Sequence, residues 1–286
     1  ETVFMLPTFA CGVEEALKND VEATMESVHA FNLWLDEDWG FDRPDGRIIA
    51  APIISLADPE RAADAVEFVL GRGAKLVLVR PAPVPGALKP RSLGDPLHDP
   101  VWARLAEAGV PVGFHLSDSG YNQIAGLWGG KSSFEGFGAR DPLDQVLVDD
   151  RAIHDTMASM IVHGVFTRHP KLKAVSIENG SYFVHRLIKR LKKVANNQPR
   201  RFPRDPIEQL RTNVWIAPYY EDDLAQLAEV IGIDKILFGS DWPHGEGLES
   251  PVSFTEELVG FSPGDIRKIM RDNALDLLGA KVTSAA

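Results

Sequence analysis

The chain has 286 residues, 44% of them apolar, which suits one large α/β domain better than two ordinary ones. Its net charge of −11 excludes a nucleic-acid partner, since holding phosphates needs Lys and Arg in excess, but leaves room for a small anionic substrate. Cys11 is the only cysteine, so an internal disulfide is excluded and a reducing, cytoplasmic setting is expected; no apolar run reaches the roughly 18 residues of a membrane span.

Short apolar runs alternate with helical patterns along the whole chain. Residues 2–6 predict a first strand, closed by Pro7. Val13, Leu17, Val21, Met25, Val28 and Leu35 recur at helical spacing and predict one continuous helix. Residues 47–54 read as a second strand. Asp58 then caps a helix with Pro59 at its first position, running over 60–70. Strands are predicted at 74–79, 110–115, 172–177, 213–217 and 235–239. Helices follow at 101–108, 152–168, 181–194 and 222–231, with shorter helical stretches at 252–259 and 263–278.

This gives seven strands, each followed by a helix. Continuous apolar strands between helices indicate a parallel sheet buried on both faces. A closed (β/α)8 TIM barrel has eight strands. Because the chain opens directly on a strand, the simplest reading is a single barrel domain over 1–286 whose first βα unit is missing. The rival, an open doubly wound sheet, calls for a glycine-rich phosphate loop after an early strand. Neither GxGxxG nor GxxxxGK[ST] occurs.

One connection, 116–150, lacks periodicity and is rich in Gly, Ser and aromatic residues. Long structureless loops in compact domains are usually lids or binding loops. Tyr121, Trp128, Phe134 and Phe137 would either wall a pocket for a planar substrate or staple the loop to the barrel.

Polar residues that end apolar strands point into one mouth of such a barrel. These are Arg80, His115, Glu178 with Asn179, and Asp241. Neutral imidazole and carboxylate together suit a divalent ion such as zinc. A carboxylate beside a metal-activated water can take or return a proton. His244 follows Asp241 by three residues, as a substrate contact or a turn residue, and Glu246 reads as structural. His29, His154, His163 and His185 fall inside helix patterns, and His98 and His169 in turns. The basic run 186–193 reads as a solvated helix face. No HxH or HExxH occurs.

The segment ILFGSDWPHGEG, with GVFTRHPKLKAVSIENG and PVGFH before it, resembles the amidohydrolase-related family, in the branch holding aminocarboxymuconate-semialdehyde decarboxylase and the resorcylate-type decarboxylases. The likeness spans residue 2 to about residue 278. It implies a metal-dependent barrel, commonly with zinc, in which His115 matches the fifth-strand ligand and Asp241 the eighth-strand ligand and proton carrier. It also implies a homodimer as a family-level expectation. Two departures stand out. The family's HxH pair is absent from this sequence. The decarboxylases' His at the end of strand six is replaced by Glu178, which leaves hydrolysis open beside decarboxylation.

The expectation is therefore a metal-dependent hydrolase or carboxy-lyase for a small carboxylated, cyclic or aromatic compound. His115 and Asp241 would hold the metal, with Asp241 as base and acid. Glu178 would be a further ligand or proton shuttle. Arg80, His244 and Trp128 would contact the substrate. The alternative is a metal-free barrel that binds a ligand without catalysis.

Overall fold

A computed structural model describes residues 2–7, 9–86, 89–134, 141–245 and 247–279, without the side chains of Phe9 and Cys11. Phe137 and Glu246 lie outside the described residues. Strand β1 (Val3–Met5) pairs in parallel with β2 (Ile48–Ala50), and β3 (Val77–Leu78), β4 (Val112–His115), β5 (Ala174–Ile177) and β6 (Val214–Ile216) form a second parallel sheet in that order. Parallel bridges extend the series: Ile53 joins Leu78 on one side and Ile216 joins Ile236 on the other. Seven parallel segments thus follow one another in chain order. Among the described residues no strand pairing closes them into a ring.

Side-chain parity explains why the strands read as unbroken apolar runs. Val77, Val79, Val112, Phe114, Ala174, Val214 and Ile216 face the helices in the main core. Their alternates Leu76, Leu78, Val175, Trp215, Ala217 and Leu237 belong to two smaller apolar clusters that also share Ile177. Both faces are therefore buried, as a parallel sheet wrapped by helices requires. Gly113 is needed on the inner face, where a Cβ would sit 2.6 Å from Leu78 Cδ2 and 3.1 Å from Ile177 Cδ1.

The helices are α1 (Val13–Ala16), α2 (Val21–Asp38), α3 (Pro59–Gly71), α4 (Asp99–Ala108), α5 (Asn122–Gly126), α6 (Pro142–Val148) and α7 (Arg151–Val162). They continue with α8 (Val165–Arg168), α9 (Tyr182–Asn197), α10 (Pro206–Asn213), α11 (Leu224–Ile231), α12 (Pro263–Arg267) and α13 (Asn273–Leu277). Asp58 caps α3 as expected, accepting from the amides of Glu60 and Arg61.

Four sequence expectations are corrected. The predicted first helix is two, because Asp20 stops the chain and caps α2 by accepting from the Ala23 amide. The helix over 152–168 breaks at Gly164, which takes φ 78° between α7 and α8. The 116–150 connection is not structureless: it carries α5 and α6, the latter capped by Asp141 ahead of Pro142. The last strand shrinks to the Ile236 bridge, because Lys235 closes a 3-10 turn and the Phe238 amide donates to Ile269 O instead of to a strand.

Candidate active site

Three of the expected strand-end residues converge, joined by His244. His115 is the last residue of β4 and lies opposite Ile177 of β5, so Glu178 emerges beside it. His115 Nδ1 lies 2.7 Å from Leu116 O. A carbonyl only accepts, so Nδ1 carries the hydrogen. The other ring nitrogen, Nε2, is 2.8 Å from Glu178 Oε2.

Glu178 is held from three sides. The buried amide of Asn179 donates to Phe114 O and Ile177 O, tying the ends of β4 and β5 together. Tyr219 Oη donates to Glu178 O at 2.8 Å. Its backbone amide donates in turn to Asp222, which also accepts from Ser181 and whose carboxyl burial pushes above the ordinary aspartate value. Gly180 lets the Tyr219 ring close in, since a Cβ there would lie 2.9 Å from it. Under this restraint Glu178 adopts φ 57°, a left-handed conformation that side-chain-bearing residues seldom take.

Asp241 is the other non-glycine residue with positive φ among the described residues, at 53°. Its loop folds back on itself: the His244 amide donates to Asp241 O, Gly247 to His244 O and Leu248 to Ser240 O. Gly247 is pressed so close that a Cβ would stand 2.7 Å from both Ser240 O and Asp241 O. The turn brings His244 Nδ1 to 3.0 Å from Asp241 Oδ1 and 3.9 Å from Glu178 Oε1. One ligand atom from each of Glu178, Asp241 and His244 lies within 4.8 Å of the others, a spacing that a single cation can span. His115 adjoins this group through Glu178.

Arg80 and Trp128 are placed differently. Arg80 is buried and already serves two acceptors through Nη1, Glu15 Oε2 at 2.8 Å and Asp118 O at 3.1 Å. It lines a cavity with His115, so it adjoins the cluster, but it arrives with a carboxylate partner. Trp128 is 75% exposed, so its ring packs on little. Tyr121 fits the stapling role: its hydroxyl donates to Asp155 of α7 at 3.0 Å.

Sequence reasoning passed over Glu14, Ser117, Tyr219 and Gly247. Of these only Gly247 carries a local signal, as the second glycine of a turn after an acidic strand end.

A family model described as amidohydrolase matches residues 12–280. Among solved structures, an amidohydrolase from Mycobacterium avium subsp. paratuberculosis K-10 is 83% identical, with TM-score 0.93, over 98% of this chain and 71% of that chain. A 2,6-dihydroxybenzoate decarboxylase from Rhizobium is 19% identical, with TM-score 0.72, over 98% of this chain and 84% of that chain. A dihydroxybenzoic acid decarboxylase from Polaromonas sp. JS666, with bound manganese and the inhibitor 2-nitroresorcinol, is 18% identical, with TM-score 0.67, over 91% and 77% respectively. The last two are likenesses of fold.

Proposed function

The chain belongs to the amidohydrolase family, and from that premise we propose that it is a metal-dependent carboxy-lyase or hydrolase of small ring-bearing carboxylates. The observation that carries this reading is the meeting of Glu178, Asp241 and His244 within 4.8 Å, with His115 hydrogen-bonded to Glu178. A (β/α)8 barrel is the architecture that the resemblance implies for this arrangement.

The donor set fits a divalent cation. Two carboxylates and an imidazole are the ligands that zinc and manganese both accept, and the Polaromonas decarboxylase holds manganese. Glu178, Asp241 and His244 would hold the ion, with His115 as a further donor once its contact with Glu178 opens. When bound, the ion would supply positive charge that orients the substrate carboxylate and offsets the charge developing on it.

The protein's own groups handle the proton. In decarboxylation the bond between ring carbon and carboxyl carbon breaks, and its electron pair stays on the ring carbon as carbon dioxide leaves. Glu178, whose Oε2 lies 2.8 Å from His115 Nε2, would act as the shuttle that passes a proton to that carbon. In hydrolysis water attacks the scissile acyl carbon, Asp241 takes its proton and returns it to the leaving group as the acyl bond breaks, and His244, 3.0 Å away, orients the Asp241 carboxylate. Decarboxylation is the first reading, supported by the decarboxylases among proteins of similar fold.

The test uses full-length protein loaded with manganese or zinc and a panel of aromatic acids that includes 2,6-dihydroxybenzoate. Stoichiometric metal and carbon dioxide release, both lost in Asp241→Asn, support the proposal. Metal-free protein on elemental analysis, or turnover untouched by Asp241→Asn and Glu178→Gln, overturns it. Ligand binding without metal or turnover would mark a non-catalytic barrel instead.

A further inference from the structure

The basic run of α9 is exposed, as its sequence suggests, but its charges are unmatched and it borders a groove. The helix turns Phe183, Leu187, Ile188 and Leu191 into the core and leaves Arg186, Lys189, Arg190, Lys192 and Lys193 outside. Tyr182, Arg186, Lys189 and Lys193 recur at spacings of four, three and four, so they share one outer face.

Elsewhere on the surface, cations commonly stand against carboxylates. Arg72 pairs with Asp36, Lys75 with Asp42, Arg168 with Asp99, Arg267 with Asp272 and Lys268 with Asp234. On α9 only Arg186 does so, with Asp150 at 2.9 Å. Lys189, Arg190, Lys192 and Lys193, with Arg200 and Arg201 in the turn after the helix, form no ion pair among the described residues. Like charges three and four positions apart destabilise a helix. In a chain of net charge −11, this concentration of unmatched cations is a local reversal of sign that an acidic partner would relieve.

Beside this face, α9 and α11 enclose a groove of about 380 Å3. Its apolar lining comes from Val184, Leu227 and Val230, and the Tyr182 side chain, 69% exposed, lines it as well. Arg186 and Lys189 stand on the α9 bank, and Asp223 stands on the α11 bank. Exposed Tyr and Arg beside an apolar strip are the residues that anchor protein partners.

The occupant that fits is narrow. A flat anionic surface laid across both helices would set its phosphates against Asp223 and meet the field of an acidic chain. Nor can α9 sink into a bilayer, because its apolar face is already in the core. A single extended segment lying along α9 avoids both conflicts. Its alternate side chains point to opposite faces, carboxylates toward the lysines and apolar groups toward the floor. The 16 residues of α9 make a helix about 24 Å long, which about seven extended residues span.

We propose that the α9–α11 groove docks an acidic, amphipathic segment of a partner protein in extended form. Its carboxylates meet Lys189 and Lys193, and its apolar side chains meet Val184, Leu227 and Val230. This surface is independent of the metal-site reading.

The experiment is fluorescence anisotropy of labelled peptides, about eight residues long, titrated with the full-length protein. The wild type should bind a peptide of alternating Glu and Leu about tenfold more tightly than one of alternating Gln and Leu, and more weakly as salt rises. A peptide of Glu alone, which leaves the apolar floor uncovered, should bind more weakly than the Glu and Leu peptide. Lys189→Glu with Lys193→Glu should cost about tenfold in affinity. Arg47→Glu with Lys75→Glu changes the net charge equally, away from α9 and α11, and should keep wild-type affinity. Equal binding of the Glu and Gln peptides overturns the proposal, as do equal losses in the two charge-reversed variants. If the α9 variant does not fold, Lys189→Gln with Lys193→Gln decides, and unchanged affinity there refutes the site. Tighter binding of phosphatidylserine vesicles or of single-stranded oligothymidylate than of the acidic peptide also refutes it, by assigning the surface to phosphates.

Discussion

Glu178, directly after β5, and Asp241, beyond the Ile236 bridge, share the same left-handed backbone conformation, φ 57° and 53°, and no other non-glycine residue does so among the described residues. The conformation costs an L-residue about 1–2 kcal/mol. Glycine would fit either position without strain. The carboxylates are kept in place by the surrounding bonds from Asn179, Tyr219 and the loop closed by Gly247. Strain concentrated on the two acidic members of one cluster is the pattern of a functional site.

That strain can be measured by comparing glycine with alanine at each position. Both replacements remove the carboxylate, but only alanine retains the backbone penalty. Glu178→Gly and Asp241→Gly should each be more stable than the alanine variant by about 1 kcal/mol. For a chain of this size that is about 2–4 °C in melting temperature. All four variants should lose metal binding. Identical melting curves within each pair would show that φ carries no strain.

Gly247→Ala tests the loop from the other side. The added methyl would lie 2.7 Å from the Ser240 and Asp241 carbonyls, both of them backbone atoms that cannot swing aside. Overpacking of this kind costs about 1–3 kcal/mol. The expected outcome is a lower melting temperature and a metal affinity reduced by about tenfold or more, since Asp241 and His244 move with the loop. A variant with unaltered metal affinity would detach the loop from the site.

Metal should stabilise the fold in proportion to its saturation. At a free concentration one hundred times the dissociation constant the gain is about 2.7 kcal/mol, provided the unfolded chain does not bind. Manganese or zinc added to chelator-treated full-length protein should raise the melting temperature, and Glu178→Gln should abolish most of the rise. A rise of the same size in Glu178→Gln would remove that residue from the donor set.

Glu14 gives a pH dependence with a defined sign. Its carboxyl is raised above the ordinary value of 4.5, chiefly by burial, so folding favours the neutral form. The contribution is present at low pH and is lost as pH climbs through the raised value. Glu14→Gln, permanently neutral, should therefore gain over the wild type as pH rises. Thermal melts at about pH 5 and about pH 8 should show the gap widening at the higher value. A gap that narrows would place Glu14 as a stabilising ion-pair partner of Arg80.

The fold was legible where pattern and burial coincide. Val112 and Phe114 face outward and Gly113 inward, so β4 is buried on both sides and reads as one apolar run. The Asp58–Pro59 cap was equally legible. The same Asp-Pro signal opens α6 at Asp141 and α10 at Asp205, yet there weak apolar periodicity hid the helices. The final strand was misjudged because the fate of the Phe238 amide depends on a carbonyl of Ile269, far along the chain.

The site was half legible for a related reason. His115, Glu178 and Asp241 announce themselves as polar residues closing apolar strands, and the register of β4 against β5 delivers the first two to each other. Glu14 had no such marker. It sits in a short helix with Glu15, and only the meeting with Arg80 and Ser55 separates it from an ordinary exposed acidic residue. Tyr219 was equally silent, because its hydroxyl acts on a backbone carbonyl 41 positions earlier.

The order of the strands bears on how the molecule assembles. Each parallel segment is bonded to the one that precedes or follows it in the chain, with a crossover helix between. Every pairing among the described residues therefore closes a loop of moderate length. Loop-closure entropy, which slows folds built on remote contacts, stays small at each step. The sheet can grow by accretion while the polypeptide is still leaving the ribosome. Glu178 and Asp241 would then meet only after the β6 segment between them has docked, so the chemistry would appear as one of the last events of folding.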